Sequence, residues 1–207
     1  MSVNGDAGHP PDQPPLDRRL ADALERLTHA VRTLAVAGSQ ANGLSVVQLH
    51  ALLALASHPA ERRRVGALAE EFAVTAPTMS DAVSALERKG LVVRAAVPGD
   101  ARRRELTLTP EGEALTARLS GWDGPLLEAL GTLPAEERAA LLQAALDLIA
   151  GLRRAGVITV DRSCVSCRFF RRDARDDPAA PHYCRLLEQP LPRAGLRVSC
   201  PEHQPAT

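Results

Sequence analysis

Four cysteines carry the most distinct chemistry in this sequence. Cys164, Cys167, Cys184 and Cys200 are its only thiols, spaced C-x2-C-x16-C-x15-C within the last 44 of 207 residues. A C-x-x-C pair in one short loop brings two thiolates to one metal, and two later single cysteines complete four ligands. Three of the five aromatic side chains, Phe169, Phe170 and Tyr183, lie among them. Four buried apolar thiols or two disulfides explain the cluster less well, because residues 1–15 do not read as a secretory leader and the expected compartment is the reducing cytoplasm. Zinc ribbons generally use two C-x-x-C knuckles, whereas here the second pair is split by 15 residues. An iron-sulfur cluster accepts ligands from separate loops and gains from the apolar cover of Cys167-Arg-Phe-Phe170 and Tyr183-Cys184-Arg-Leu-Leu187, so a cluster is preferred and zinc is the alternative. His182 and His203 could replace a thiolate; they read more readily as neighbours of the site or as exposed side chains.

A second chemical pattern lies in residues 62–109. Val65, Leu68 and Phe72 mark a short helix, Ala73 to Thr75 a tight connection, and Met79, Ala82, Val83 and Leu86 a further helix ending at Gly90. Thr75 suits its N-cap, and Pro77 is tolerated in the first turn, where amide donors have no helical partner. With the four apolar residues inward, the 100° step places Pro77, Asp81, Ser84 and Arg88 outward and Thr78 and Ser80 on the flanks. That face is small and polar where a recognition helix meets base edges and basic at its far end, where phosphate would lie. Thr78 and Ser80 can bond bases or phosphate, Pro77 can touch a thymine methyl, and Asp81 can accept from a cytosine amino group. Two extended runs around Pro98, Gly99 and Asp100 then read as a β-hairpin. Helix, turn, helix and hairpin is the order of a winged helix-turn-helix. Although 25 basic and 25 acidic residues cancel over the whole chain, residues 62–104 hold nine basic against five acidic side chains, a local excess of +4 suited to phosphate.

These units need a frame, and the rest of the pattern is helical. Residues 1–15, with four prolines and no periodicity, read as a flexible tail. Leu16, Leu20, Leu24, Leu27, Val31 and Leu34 form an apolar stripe that breaks between Gly38 and Gly43. A second helix, apolar on most sides, follows from Ser45 to about Ser57. Pro110 opens another helix with a weak point or kink at Gly121, Gly124 and Pro125. A last one follows Pro134, with Leu141, Leu142, Ala145, Leu148, Ile149 and Leu152 on one face. The stripes at 16–34 and 141–152 are too apolar to leave in water, so they should pair with each other and with a second copy. The fold expected is mainly α: dimerisation helices at 16–58 and 110–155, a winged DNA-binding unit at 62–109, and a small cysteine-rich metal-binding lobe at 161–207.

Residues 16 to about 154 resemble a MarR-type transcriptional regulator. The likeness is carried by Leu44-Ser-Val-Val-Gln-Leu49, Val65-Gly-Ala-Leu-Ala-Glu70, Thr75-Ala-Pro-Thr-Met-Ser80, Leu86-Glu-Arg-Lys-Gly-Leu-Val92, Asp100-Ala-Arg102 and Leu108-Thr-Pro-Glu-Gly112. It implies an obligate homodimer reading an inverted repeat in double-stranded DNA, and a wing in which Asp100 orients Arg102 for the minor groove, with Arg103 beside it. Asp81 departs from the family's usual neutral or basic residue on the DNA face. Over a few residues the cysteine spacing is also similar to that of high-potential iron-sulfur proteins. A cluster placed just after the dimerisation helices is expected to sense redox or cluster status by shifting the two winged units; the plainer expectation is a metal that only folds the lobe.

Other classes fit less well. No Gly-rich nucleotide loop, Ser/His/Asp set or carboxylate pair at meaningful spacing points to an enzyme. An electron carrier would leave the winged pattern unused. A regulator controlled by a small-molecule effector, with structural zinc, is the alternative to the redox sensor. No apolar run approaches the ~18 residues of a membrane span, so the protein is expected to be cytoplasmic.

Overall fold

The computed structural model describes residues 14–97 and 100–206; for Val97 and residues 100–103 it describes the backbone alone. The expected flexible tail therefore falls, but for Pro14 and Pro15, outside the described residues. Helix α1 spans Leu16–Gln40 and α2 Val46–Ser57. The helix ends within the expected interval, after Gln40, and Gly38 stays inside it. A methyl there would stand 2.9 Å from Trp122 Cβ, so this glycine lets α1 lie close to the turn that carries Trp122. The break comes at Gly43, whose φ of +63° is open to glycine at little cost. Ser45 caps α2 reciprocally with Gln48: its hydroxyl accepts from the Gln48 amide, while Gln48 Oε1 accepts from the Ser45 amide.

Helices α3 (Val65–Glu71) and α4 (Ala76–Arg88) are followed by an antiparallel hairpin, β1 (Val92–Val97) with β2 (Asp100–Leu108). The Leu106 amide donates to the Arg63 carbonyl at 2.7 Å, which ties the hairpin to the chain entering α3. Leu49, Leu52 and Leu55 of α2 lie at the centre of one core with Leu68, Met79, Val83, Leu86, Leu106 and Leu119. Fully buried leucines of this kind contribute about 2 kcal/mol each by area removed from water.

Helix α5 spans Pro110–Leu119, capped by Thr109, whose hydroxyl accepts from the Gly112 amide. The weak point expected after it is a full break, with α6 (Gly124–Gly131) separate and Pro125 in its first turn. Helix α7 runs Ala135–Arg154, acidic at its start and basic at its end, as the helix dipole favours. The last segment adds a three-stranded antiparallel sheet of β3 (Phe170–Arg171), β4 (His182–Cys184) and β5 (Gln189–Leu191), with 3-10 turns at Cys164–Ser166 and Arg193–Gly195.

The two edges of the apolar face of α7 meet different surroundings. Leu146 is buried with Leu142 and Ile149 against Cys164, Val165, Phe170 and Leu196 of the cysteine segment. Leu141, Leu148 and Leu152 remain exposed, as do Leu16, Leu20, Leu24 and Leu27 of α1. Helix α7 thus has one side filled by the chain's own C-terminal lobe and another left bare.

Candidate nucleic-acid interface and cysteine pocket

Helix α3 ends at a non-glycine residue in the left-handed region. Ala73, at φ +50°, lets the Val74 amide reach the Ala69 carbonyl at 3.0 Å and turns the chain straight into α4. Thr75 Oγ1 accepts from the Thr78 amide at 3.2 Å and lies 2.8 Å from Thr78 Oγ1, so the N-cap joins the two hydroxyls. At the other end, Gly90 at φ +70° allows its own amide to reach Glu87 O and that of Leu91 to reach Leu86 O, a double closure that aims the chain into β1.

Between these caps Met79, Ala82, Val83 and Leu86 are buried, as the periodicity requires. Thr75, Pro77, Thr78 and Asp81 form one exposed group on the first turns of α4, Ser80 is half-buried beside them, and Arg88 is exposed at the far end. Ser84 is engaged from the wing: Arg94 of β1 reaches its hydroxyl at 3.4 Å and donates from Nε to Glu87 at 3.0 Å. Arg94 had no special place in the sequence reading, and its role follows from the strand crossing beside α4. Asp100, Arg102 and Arg103 have their backbone on β2; their side chains lie outside the described residues.

In the basic run before α3 each arginine also has a partner within the chain. Arg63 donates from Nε to the His58 carbonyl at 2.8 Å and stands 3.9 Å from Glu105. Arg64 donates to the Glu61 carbonyl at 2.9 Å, and Arg62 to Ser199 Oγ at 3.0 Å.

All four cysteines are free thiols lining a single pocket, walled by Phe169, Phe170, Leu186, Leu187 and Leu191. The C-x-x-C turn is closed by the Cys167 amide on the Cys164 carbonyl at 3.0 Å, and Cys184 enters on β4 opposite Phe170. The Arg197 amide donates to Cys164 Sγ at 3.2 Å, the kind of bond that supports a thiolate. Burial nonetheless pushes the Cys164 thiol up, and the other three sulfurs add to this. Among the described residues no three Cys, His, Asp or Glu side chains converge closely enough to hold one metal ion.

Both histidines of the lobe are occupied elsewhere. His182, fully buried, takes the Asp173 amide on Nδ1 at 3.2 Å, so its Nε2 proton is assigned to Gln143 Oε1 of α7, also at 3.2 Å. His203 lies 2.9 Å from Ser166 Oγ. Neither is among the residues lining the cysteine pocket.

Two helices joined by a tight turn, an exposed polar second helix and an antiparallel wing, held by long flanking helices, define a winged-helix protein. Within it, residues 42–103 match the model of the MarR family. Among solved structures, the transcriptional regulator PA3341 is similar with 28% identity and a TM-score of 0.58, covering 65% of this chain and 98% of its own. MepR of S. aureus in complex with DNA shares the fold at 22% identity and a TM-score of 0.56, over 64% of this chain and 97% of its own. Part of this chain thus has no counterpart in either neighbour. No curated protein matches the chain in sequence. No helix among the described residues is long and apolar enough to cross a membrane.

Proposed function

We propose that this protein is a sequence-specific DNA-binding transcriptional regulator acting as a homodimer on an inverted repeat. The observation that carries this is the exposed, capped, polar first turn of α4 beside an antiparallel wing. In that reading Thr75, Pro77, Thr78, Ser80 and Asp81 meet base edges and nearby phosphate in the major groove. Arg88 lies toward the backbone, and Asp100, Arg102 and Arg103 on the wing serve the minor groove. Ser84 acts through Arg94, fixing the wing against α4. The exposed leucines of α1 and α7, with Leu127 of α6, supply the dimer face. Two-fold symmetry then sets half-sites ~10 bp apart. Selection of duplexes from a random pool by the purified protein tests this. An enriched inverted repeat, bound with affinity that falls steeply as salt rises, is the expected result; recovery of no sequence preference overturns it.

The same proposal gives the C-terminal lobe an iron-sulfur cluster held by Cys164, Cys167, Cys184 and Cys200. Support comes from the donor set: four free thiols around one apolar pocket and an amide already donating to sulfur. A bound cluster would supply redox change and a response to iron supply. The chain's own part is to present the four sulfurs, shield them with Phe169, Phe170 and Leu191, and carry any change in the lobe to the winged unit. A second reading, a small-molecule effector with structural zinc, is favoured by one feature: a cleft of about 430 Å3 between α2, β2 and α5, with Leu53, Arg63, Glu113 and Thr116 on its walls. Metal analysis separates the two readings, since one zinc per chain in a colourless protein removes the cluster.

A further inference from the structure

The cysteine lobe touches the winged unit directly, and at both ends of one short helix. Before α3, Arg62 Nη1 donates to Ser199 Oγ at 3.0 Å. At its end, Glu71 Oε2 pairs with Arg162 Nη1 at 3.5 Å, and the Glu70 carbonyl accepts from Thr159 Oγ1 at 3.4 Å. Glu71 is itself steadied by His58, 2.8 Å from its other oxygen. These contacts join residues about ninety positions or more apart in the chain, and they clasp the first helix of the helix-turn-helix from outside.

The clasping residues sit on the same backbone ladder as two of the cysteines. Arg162 and Ser199 form a parallel bridge. The Cys200 amide donates to the Arg162 carbonyl, and the Cys164 amide to the Arg197 carbonyl, both at 3.0 Å. Cys164 and Cys200 line the pocket, whereas Arg162 and Ser199 reach α3. The lobe is anchored in turn on α7 through the core around Leu146. Helix α7 carries the bare apolar face, so the lobe brackets α3 against a helix of the dimer frame.

From this geometry we infer that the clasp of Arg162 on Glu71 and Ser199 on Arg62 is the route by which the state of the cysteine pocket sets DNA affinity. The inference rests on the metal-bound reading above. Metal bound by Cys164 and Cys200 holds the two ladder segments together. Both clasping side chains are then presented at once, and α3 with α4 behind it takes one orientation relative to α7. Without metal the two segments are joined by their backbone bonds alone, the clasp is held less firmly, and the spacing of the two recognition helices in the dimer is less tightly fixed. Each contact is individually modest, because the ion pair is about a quarter exposed on both sides. Only the pair together, acting in both protomers, gives a coupling of about tenfold.

The test uses the full-length dimer and a duplex that it selects from a random pool. Anisotropy gives the Kd of protein purified anaerobically and of the same protein stripped with a chelator. Wild type is expected to show a ratio of about tenfold between the two states. An Arg162→Ala/Ser199→Ala variant should keep its metal content and spectrum while its ratio falls to within about twofold of unity. A variant that keeps both metal and the full ratio overturns the clasp and leaves metal regulation standing. A wild-type ratio of one overturns the metal-regulated reading itself, and the clasp with it. Should the double variant fail to hold metal, Glu71→Gln probes the same contact from α3. Its ratio should drop by about threefold, or its metal affinity should shift by the same factor, as reciprocal coupling requires; no change in either overturns the inference.

Discussion

Gly112→Ala examines the joint between the winged unit and the helices that frame it. Gly112 lies in the first turn of α5, and a methyl there would stand 2.0 Å from the Leu91 carbonyl oxygen and 3.0 Å from its carbon. Ordinary C···O contacts begin near ~3.3 Å, so α5 must move back by more than about 1 Å, because backbone cannot rotate aside as a side chain can. The same carbonyl accepts from the Thr109 amide at 3.1 Å, and the Thr109 hydroxyl donates to Gly90 O at 2.6 Å while capping α5. Withdrawal loosens these bonds, at about 1 kcal/mol each, and unseats Leu115 and Leu119 from the core. The sum is about 3–5 kcal/mol, above the ~1–3 kcal/mol usual for overpacking because the obstacle is backbone. At about 2–4 °C per kcal/mol for a chain of this size, Tm should fall by about 10 °C. Thermal unfolding followed by circular dichroism, at one protein concentration, measures it against Gly121→Ala, where a methyl meets nothing within 4 Å. A Gly112→Ala variant melting within about 2 °C of wild type would refute this account of the α5 and β1 junction.

Thr75→Ala removes the α4 cap and should cost about 1 kcal/mol in urea unfolding while weakening the selected duplex more than a random one; equal losses on both would remove Thr75 from sequence reading. Leu148→Glu places charge on the bare face of α7 and should give a folded monomer by sedimentation, with at least about a tenfold loss on an inverted repeat. An unchanged dimer would exclude that face from the interface. His50, stacked on Phe72 at 5.5 Å, has its pKa lowered by burial. Below about pH 6.5 the unfolded chain therefore takes up the proton first, so this stability is complete above that pH and is lost as pH falls through the folded value. The urea midpoint should drop from pH 7 to 5.5, and His50→Phe should lessen the drop; His58, lowered mainly by burial despite Glu71, supplies part of the remainder.

The winged unit was legible because its determinants are local. The 3.6-residue period of Met79 to Leu86, the cap at Thr75 and the turn at Gly90 each act within a few residues, and all agree. The partners of Arg62 to Arg64 were not legible, for the opposite reason. Charge runs announce solvent or phosphate, whereas the partners of these side chains, the His58 carbonyl, Glu105 and Ser199, are set by tertiary approach. The interval from Gly38 to Gly43 was legible as the end of α1, but the close packing of Gly38 on Trp122 was not, because Trp122 is distant in the chain. The two-sided use of α7 left no trace in its pattern, since lobe-facing and bare positions are equally apolar. The cysteines could be counted as one group from their confinement, but their arrangement around one pocket, and the reach of their ladder to α3, depend on contacts with no periodic signature.

The central claim, a regulator whose cysteine pocket carries an iron-sulfur cluster, is tested most directly by purifying the full-length protein anaerobically and recording its visible absorption with iron, sulfide and zinc content. The account predicts a coloured protein with the broad charge-transfer absorption of a cluster, stoichiometric iron and acid-labile sulfide, and loss of the colour in a Cys184→Ser variant that stays folded. A colourless protein, whether metal-free or carrying one zinc per chain, would contradict it.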